Sequence, residues 1–465
     1  MTESSGAERH DAWLASSARP QTRRISIIGC GHVGLIMAAG FARLGHQVIG
    51  LDRDPHLIEG LGRGVFRVQE EGLPELVADG LAEGRLRFTT SYEEAIPKAD
   101  FVFLAVDTPQ TLGGASDLHN LRAAASSVAR SLNGRAPIVV NKSTAPIGTG
   151  DMLEGILERE APEVRLTPAV VSNPEFLQQG RAVRDFFEPT RIVVGADSED
   201  DARSVADLYH GLPGEVLLTS RRTAEMVKYV SNVFLATRIS FINEIAQLCE
   251  AMGVDVEDVV TGVAHDPRIG SHFFRPGIGY GGSCLPKDTA SLRFMGDTFG
   301  VPTPFLAAIQ QVNENARTRT VRRLREALGT LEGRRIAVWG LTFKGDTEDT
   351  RQSPAVEVVQ LLVNAGADVT AFDPSEPDEW LLPPKLRISL AASALEAVED
   401  ADALAVLTDW RDFTSVPLDE VAARMHGTVV LDGRNVLDPD AANRAGLHYL
   451  GVGRGRTRQP QEVRA

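Results

Sequence analysis

Short, continuous runs of apolar residues alternate with amphipathic stretches from Arg24 onwards, and this alternation constrains the fold more than any other feature of the chain. The first part of the sequence contains six such runs, at 25–28, 47–51, 101–106, 138–140, 170–172 and 192–194. Strands that are apolar throughout and separated by helices are typical of a parallel sheet covered on both faces. We therefore predict an α/β fold here.

The pattern changes between residues 223 and 326, where helical periods dominate. Apolar residues recur there at intervals of three, four and seven positions, which predicts one long amphipathic helix. These residues are Val227, Val230, Phe234, Phe241, Ile245 and Leu248. After Gly333 the apolar runs resume at 336–339, 368–372, 403–407 and 429–431. The predicted fold is thus two Rossmann-like parallel-sheet domains joined by a central helical domain that contains a long helix.

The domain boundaries follow from these changes of pattern. We predict a flexible tail at 1–23, an α/β domain at 24–220, a helical domain at 221–326, a second α/β domain at 327–452 and a flexible tail at 453–465. A length of 465 residues is in keeping with about three domains.

Charge and cysteine content exclude several classes of function. The formal net charge of −15 disfavours nucleic acid as a partner. Three scattered cysteines, Cys30, Cys249 and Cys284, form neither a disulfide framework nor a clustered zinc site, which favours a reducing, cytoplasmic setting. No apolar run approaches 18 residues and the first twenty residues are polar, so membrane insertion and secretion are disfavoured.

A glycine-rich turn follows the first predicted strand. Gly29 permits the tight turn, Gly31 lets backbone approach a pyrophosphate, and Gly34 allows the next helix to pack closely on the strand. The second strand ends at Asp52, eighteen residues after Gly34, where a carboxylate can accept hydrogen bonds from an adenosine ribose. The pattern indicates NAD as a cofactor. The alternative is a glycine turn with a purely structural role. The neighbouring Arg53 keeps the 2′-phosphorylated cofactor as an alternative to NAD.

Polar residues also follow the later strands of the same domain, in the segments 105–109, 142–149 and 172–177. These segments line one crevice in an open parallel sheet. Thr144 offers a hydroxyl that can orient water, and Glu175 offers a carboxylate that can move a proton. The alternative is that Ser143, Thr144 and Asn173 only cap turns.

The helical region supplies two further candidates on one helical face. Lys228 and Asn232 lie four residues apart and can both donate to a developing oxyanion. Lys228 considered alone is more often a solvated helix lysine.

The segment 276–288 is the most unusual in the chain. Four glycines within 277–282 let backbone approach a ligand, and Cys284 follows just before a proline-initiated helix. A helix N-terminus lowers a thiol pKa and so favours a nucleophile. The alternative is a small core residue, the role we assign to Cys30 and Cys249. Further on, Lys344 and Arg351 provide the positive charge that a diphosphate needs, with solvated surface charge as the alternative.

Six motifs taken together resemble the UDP-glucose/GDP-mannose dehydrogenase family, whose members oxidise a nucleotide sugar at C6. They lie at 29–34, 142–144, 173–177, 224–229, 281–288 and 432–435. The resemblance covers residues 24 to about 450 and is strongest to members that act on UDP-glucose. It implies oxidation of UDP-glucose by two NAD and water to UDP-glucuronate, through a thiohemiacetal and a thioester on cysteine.

The resemblance also implies roles for individual residues. Its catalytic set is Cys284 as nucleophile, Lys228 and Asn232 as oxyanion donors, Glu175 as acid/base, Thr144 as the water-positioning hydroxyl and Asp288 as the partner of lysine and water. Its cofactor set is Gly29, Gly31, His32, Val33, Gly34, Asp52, Thr108, Thr144, Lys287 and Arg351. Its substrate set is Glu175, Phe176, Leu177, Lys228, Asn232, Arg268, Tyr280, Gly281, Phe343, Lys344 and Arg434. No metal is required, because the lysine and the amide supply the polarisation.

Arg268 resembles an arginine that reaches into the sugar site of a neighbouring subunit, which implies a homodimer built on the long helix. Two positions depart from the family pattern. Gln179 stands where many members have a second glutamate, and Asp107 occupies a position that is usually small. The alternative substrates are TDP-glucose, GDP-mannose and N-acetylated UDP-sugars. A catalytically silent nucleotide-sugar-binding protein is the alternative of another class.

Overall fold

The computed structural model describes residues 21–66, 68–161, 167–375, 382–383 and 386–454. Residues 1–20 of the predicted tail at 1–23 and residues 455–465 of the predicted tail at 453–465 lie outside the described residues. The chain divides into two compact units, one ending at Ser231 and the other beginning at Asn232. The domain boundaries at 220 and 326 stay predictions.

The first unit is built on an eight-stranded sheet. Its strands are β1 (Arg24–Ile28), β2 (Gln47–Leu51), β3 (Leu86–Thr89), β4 (Phe101–Leu104), β5 (Ile138–Asn141), β6 (Val170–Ser172), β7 (Arg191–Gly195) and β8 (Glu215–Thr219). They lie in the order β3-β2-β1-β4-β5-β6-β7-β8. The first six have the doubly wound order, which places a ligand crevice beyond the carboxyl ends of β1 and β4.

One pairing in this sheet differs from the predicted parallel arrangement. Strand β7 runs antiparallel to β6 through the single pair Ser172 and Gly195, whereas β7 and β8 are parallel to each other. The run at 192–194 is therefore a strand as predicted, but it has the opposite direction to its neighbour β6.

Helices cover both faces of the first sheet. They span His32–Arg43, Pro55–Gly62, Leu73–Ala82, Tyr92–Ala95, His119–Arg130, Thr149–Glu160, Ala182–Phe187 and Glu199–Ala206, with a 3-10 turn at Asp207–Tyr209. Alternate residues of a strand enter different cores. Ile25 and Ile27 pack in one core while Ile28 packs in the other. Burial on both faces explains why these strands are apolar throughout.

The second unit contains a six-stranded, fully parallel sheet in the order β11-β10-β9-β12-β13-β14. Its strands are β9 (Arg335–Trp339), β10 (Asp368–Phe372), β11 (Ser389–Leu390), β12 (Ala403–Val406), β13 (Val429–Asp432) and β14 (His448–Gly451). Its helices are Pro354–Asn364, Ala394–Ala397, Leu418–Arg424 and Pro439–Arg444, with a 3-10 turn at Arg411–Ser415. The strand order repeats that of β1 to β6, so the prediction of two Rossmann-like sheets is confirmed.

Four helices occupy the region between the two sheets in the sequence. They are Arg221–Met252, Val256–Ala264, Leu285–Thr298 and Pro304–Leu328. The first is the predicted long helix, with 32 residues. No helix in the described parts of the chain combines the length and the apolar character needed to cross a membrane.

Candidate active site

The glycine-rich turn joins β1 to the helix His32–Arg43. Gly29 has φ +95°, and a Cβ there would lie 2.5 Å from the carbonyl oxygen of Ala105. A Cβ on Gly34 would lie 1.8 Å from the carbonyl oxygen of Gly29, so only glycine lets the helix pack this closely. Gly31 differs, because a Cβ there would meet nothing within 4 Å. That open space beside a helix N-terminus fits the pyrophosphate of a dinucleotide.

Asp52 lies immediately after β2 and faces this turn. Its Oδ2 accepts a hydrogen bond from the Cys30 amide at 2.8 Å, and its Oδ1 accepts one from the Asp54 amide at 3.1 Å. The carboxylate is therefore held against the turn and keeps lone pairs for a ribose hydroxyl. Burial raises the pKa of the Cys30 thiol, in keeping with its predicted packing role.

His32 and Val33 open the helix that follows the turn. The Nε2 atom of His32 lies 2.8 Å from Oε1 of Glu70, whose side chain is fully buried. Glu70 also accepts hydrogen bonds from the amides of Gly180 and Ala182 at 2.7 and 2.8 Å. Val33 packs against the core of the unit. Glu70 thus ties the glycine-rich turn to the segment that follows residues 173–177.

The loop after β5 carries Thr144. The Thr108 hydroxyl donates to the Thr144 carbonyl at 2.6 Å, so the ends of β4 and β5 are joined at this point. Thr144, Glu225 and Lys228 line one small cavity. Thr144 therefore borders the same cavity as Lys228.

Glu175 and Lys228 form an ion pair in which both side chains are buried. Lys228 Nζ donates to Glu175 Oε1 at 2.8 Å, and the Leu177 amide donates to Glu175 Oε2 at 2.6 Å. Burial alone would raise the pKa of Glu175, but the Lys228 ammonium and these hydrogen bonds, with a smaller contribution from Lys142, hold it below its usual range. The carboxylate is therefore ionised at neutral pH.

Two predicted substrate residues flank this pair. The Arg191 guanidinium lies over the Phe176 ring, 4.0 Å from its centroid, and the Lys228 ammonium lies 5.4 Å from it. Leu177 is partly buried and packs against the core. Phe176 thus forms an aromatic surface beside two cations.

In the second unit, Asn232 and Asp288 are bonded to each other. The Asn232 amide donates to Asp288 Oδ2 at 2.6 Å, and Lys287 Nζ donates to Asp288 Oδ1 at 2.7 Å. Asp288 is 1% exposed and Asn232 is 8% exposed. The carboxylate therefore fixes the direction of the amide and of the Lys287 ammonium.

Cys284 is the N-cap residue of the helix Leu285–Thr298, and Pro286 lies in the first turn of that helix. The Cys284 side chain is exposed, whereas Cys30 and Cys249 are buried. Its Sγ lies 3.7 Å from the Ser283 hydroxyl oxygen. A helix N-terminus favours the thiolate over the thiol.

The glycines before Cys284 permit close packing of backbone. A Cβ on Gly281 would lie 2.3 Å from the Gln352 carbonyl oxygen, and one on Gly282 would lie 2.9 Å from the Phe343 ring. Tyr280 is buried, and its amide donates to Asn313 Oδ1 at 2.8 Å. The loop is thus fixed against residues of the same unit, with the thiol left accessible at its end.

The basic residues of the second α/β domain have different surroundings. Arg434 is anchored by bonds to backbone carbonyls, among them Leu407 at 2.9 Å and Phe343 at 3.2 Å. The Lys344 ammonium lies 5.8 Å from the centroid of the Phe343 ring. Arg351 is exposed, and its guanidinium forms a bidentate pair with Asp349, Nη2 to Oδ2 being 2.7 Å. The Arg434 guanidinium is thus fixed in direction by its carbonyl partners.

The Arg268 side chain is 87% exposed. Its Nη2 atom lies 2.6 Å from Oδ2 of Asp266. Asp107 is exposed, and its carbonyl accepts a hydrogen bond from Asn120 at 3.5 Å. Gln179 is partly exposed in the segment after Leu177.

Sequence reasoning missed several buried ionisable residues in the first unit, among them Glu70, Glu225 and Lys142. Glu225 accepts hydrogen bonds from the amides of Gly148 and Gly150 at 2.7 and 2.8 Å, and burial raises its pKa. Lys142 is buried, and burial lowers its pKa to about 7 although Glu175 opposes that change. Lys142 stands in the motif 142–144, yet nothing in the sequence marks it as buried.

The comparisons with known proteins agree with this geometry. Models of the UDP-glucose/GDP-mannose dehydrogenase family match the chain in all three parts, as NAD binding domain (residues 23–212), central domain (222–315) and UDP binding domain (337–439). The chain belongs to this family.

Curated relatives and solved structures lead to the same family. UDP-glucose 6-dehydrogenase of Rhizobium meliloti is 42% identical, over 93% of this chain and 99% of that protein. A UDP-glucose dehydrogenase structure from Pyrobaculum islandicum has a TM-score of 0.87 at 38% identity and covers 93% of this chain and 98% of that one. A UDP-D-ManNAc dehydrogenase structure from Pyrococcus horikoshii has a TM-score of 0.84 at 30% identity, with coverage of 93% and 99%.

Proposed function

We propose that this protein is an NAD-dependent nucleotide-sugar 6-dehydrogenase that converts UDP-glucose, two NAD and water to UDP-glucuronate and two NADH. Family membership and the 42% identical UDP-glucose 6-dehydrogenase support the substrate. One observation carries the four-electron chemistry. Of the three cysteines, only Cys284 exposes its side chain, and it does so at the start of a helix.

The residues of the glycine-rich turn suit a dinucleotide. Backbone amides at the start of the helix His32–Arg43, the open space at Gly31 and the Asp52 carboxylate would hold the pyrophosphate and the ribose. When bound, NAD accepts the hydride in each oxidation. Thr108, Thr144, Lys287 and Arg351 complete the predicted set of cofactor contacts.

The first oxidation removes a hydride from C6, transfers the proton of the C6 hydroxyl to a protein-held water or carboxylate, and leaves an aldehyde. An aldehyde is a poor hydride donor until a nucleophile adds to it. The Cys284 thiolate adds to the aldehyde carbon and forms a thiohemiacetal, whose oxyanion accepts hydrogen bonds from Lys228 and Asn232. Loss of the second hydride from the same carbon leaves a thioester.

Hydrolysis of the thioester completes the reaction. A water molecule oriented by Thr144 and Asp288 attacks the thioester carbon while Glu175 takes its proton. The carbon–sulfur bond then breaks, and Cys284 recovers its thiolate as the acid leaves. The ionised state of Glu175 at neutral pH supports its role as the base.

We also propose a homodimer through the central helical domain. Val230, Phe234, Phe241 and Leu248 on the long helix are each between 47% and 59% exposed, although all are apolar. Phe234, Phe241 and Leu248 are seven residues apart, so they form one stripe along the helix. A continuous apolar stripe of this kind is typical of a protein interface. In such a dimer, the exposed Arg268 is available to the sugar site of the partner subunit.

Further assignments belong to this proposal. The protein acts in the cytoplasm, since three scattered cysteines are too few for a disulfide framework. Nucleic acid and membranes are not among its partners, and the reaction uses no metal. The domains are those predicted, with NAD bound by 24–220, dimerisation through 221–326 and nucleotide sugar bound by 327–452.

The test measures NADH and product together. The purified protein is incubated with NAD and, separately, UDP-glucose, TDP-glucose, GDP-mannose and N-acetylated UDP-sugars. We expect two NADH and one acid per UDP-glucose consumed. A one-to-one ratio with free aldehyde overturns the four-electron scheme, and faster oxidation of another sugar reassigns the substrate. Binding without NADH formation from any of them shows a catalytically silent protein.

A further inference from the structure

Lys142 lies directly after β5 and is 7% exposed. Its Nζ atom is 3.1 Å from Asn173 Oδ1, 3.2 Å from the Tyr209 hydroxyl and 3.5 Å from the Pro174 carbonyl oxygen. The Tyr209 hydroxyl donates to the same Asn173 oxygen at 2.6 Å. Among the ion pairs of the described residues, none joins Lys142 to a carboxylate. The ammonium is thus held by neutral oxygens alone.

A buried lysine without an ion pair destabilises a fold, because its charge loses hydration that neutral oxygens replace only in part. An apolar side chain of similar length would fill the space without that loss. The position of Lys142 therefore calls for an explanation other than stability.

The partners of Lys142 belong to the segment that carries Glu175. Asn173 and Pro174 directly precede Glu175 in the chain. The Asn173 amide group donates to the Val193 carbonyl at 2.8 Å, and its backbone N–H donates to Asn141 at 2.9 Å. Lys142 and the Tyr209 hydroxyl both donate to the oxygen on the remaining side of the Asn173 side chain. The segment is thereby fixed just before the residue that meets Lys228.

Charge gives Lys142 a second influence on the same carboxylate. Two cations act on Glu175. Lys228 contacts it directly, whereas Lys142 contacts Asn173 and Pro174, the two residues before Glu175 in the chain. Both cations lower the pKa of Glu175, and Tyr209 is the other titratable group that contacts Lys142. Removing the Lys142 charge should make the carboxylate easier to protonate.

On the basis of the proposed function, we propose that Lys142 is a positioning residue for Glu175, which fixes the segment 173–174 by hydrogen bonds and keeps the neighbouring carboxylate ionised. Lys142 itself touches no reacting atom. It acts through Glu175, the base of thioester hydrolysis.

The test compares K142M with two matched variants. K142M removes both the hydrogen bonds and the charge, and K142Q keeps an amide donor without the charge. Y209F removes the two hydrogen bonds of the Tyr209 hydroxyl, to Lys142 and to Asn173, while Lys142 keeps its charge. For K142M we expect kcat to fall about tenfold while KM for UDP-glucose and for NAD changes less than about threefold. The acidic limb of its kcat–pH profile should move to higher pH by about half a unit or more.

The variants separate the two effects of Lys142. K142Q should move the acidic limb as K142M does, and it provides this result if K142M fails to fold. Y209F should leave the limb where the wild type has it. The electrostatic part of the proposal is overturned if the acidic limb of the kcat–pH profile stays in place in both K142M and K142Q. It is also overturned if Y209F moves that limb as far as the lysine variants do.

A measurement without catalysis tests the positioning itself. The Leu177 amide donates to Glu175 Oε2, so its hydrogen exchange reports whether the carboxylate stays in place. By mass spectrometry, we expect faster exchange in the peptide that contains Leu177 for K142M, and a smaller increase for K142Q. Exchange in K142M equal to that of the wild type overturns the positioning. If the wild type makes no NADH from any nucleotide sugar, the proposed function fails, and exchange alone decides the role of Lys142.

Discussion

Lys228 Nζ lies 2.8 Å from Glu175 Oε1, and both side chains are buried. The proposed mechanism gives them different tasks, one as oxyanion donor and the other as base. The Lys228 ammonium also helps to hold the pKa of Glu175 below its usual range. Variants of the two residues should therefore stop the reaction at different points.

For E175Q we expect the thioester to accumulate. The amide keeps the size of the side chain but cannot take a proton from water, so hydrolysis should slow by roughly 10²-fold or more. Intact-protein mass spectrometry after mixing with UDP-glucose and NAD should show one covalent adduct per chain. In K228M the adduct should be absent or scarce, because the oxyanion loses a donor worth on the order of 10²-fold in rate. Rapid release of acid by E175Q would contradict this assignment.

Cys284 should be the one thiol that reacts quickly in the folded protein. Its side chain is exposed and begins a helix, whereas Cys30 and Cys249 are buried. Brief treatment with iodoacetamide should alkylate one thiol per chain and abolish acid formation. C284A should show no fast labelling, and denaturation should expose the other two thiols. Acid formation by C284A near the wild-type rate would disprove the nucleophile.

Two glycines of the dinucleotide turn form a matched pair for substitution. G34A places a Cβ 1.8 Å from the Gly29 carbonyl oxygen, so the melting temperature should fall, with a loss of stability of about 1–3 kcal/mol or more. G31A meets nothing within 4 Å and should leave the melting temperature unchanged. It should still weaken NAD binding, about tenfold by calorimetry, since the methyl group occupies the space proposed for the pyrophosphate. Normal NAD binding by G31A would count against that placement.

The Lys142 charge should also affect the pH dependence of stability. The pKa of Lys142 is about 7 in the folded chain, whereas an ordinary lysine, as in the unfolded chain, has a pKa of 10.5. Between these two pH values the unfolded chain holds a proton that the folded chain lacks. The free energy of unfolding therefore rises with pH in this range, by up to about 1.4 kcal/mol per pH unit from this group. Urea unfolding of wild type and K142M at pH 7, 8 and 9 should show the wild type gaining stability relative to the variant. A constant difference would mean that Lys142 does not titrate in this range.

The apolar stripe on the long helix should hold two subunits together. F241E places a charge in that stripe and should convert a dimer to a monomer in light scattering after size-exclusion chromatography. L112E is the control, because Leu112 is fully exposed and lies outside the long helix. If Arg268 completes the site of the partner subunit, the monomer should lose most of its activity. An F241E protein that remains dimeric would exclude this interface.

The strands that could be predicted are those that the sequence marks with a continuous run of apolar residues. Strands such as β4 and β12 are buried on both faces, so they are apolar throughout, and their predicted ends differ from the structure by at most two residues. The strands β3, β8, β11 and β14 were missed. They lie at the edges of the two sheets and are partly exposed, so they lack a continuous apolar run.

Other features depend on contacts distant in sequence. The antiparallel pairing of β6 with β7 is decided by the path of the chain between them, which has no local signature. The burial of Lys142 results from packing against Tyr209, 67 residues away. Asn232 and Asp288, 56 residues apart, were predicted from the resemblance, and their hydrogen bond could not be read from either residue alone.

Gly453 and Arg454 are bonded to the helical region. The Gly453 amide donates to Glu250 of the long helix at 2.8 Å, and Arg454 pairs with Asp255 at 2.9 Å. A Cβ on Gly453 would lie 2.5 Å from the Val256 side chain, so the backbone is tightly enclosed there. Deletion of Gly453 and Arg454 would therefore take these partners from Glu250 and Asp255 and would uncover apolar surface beside Val256.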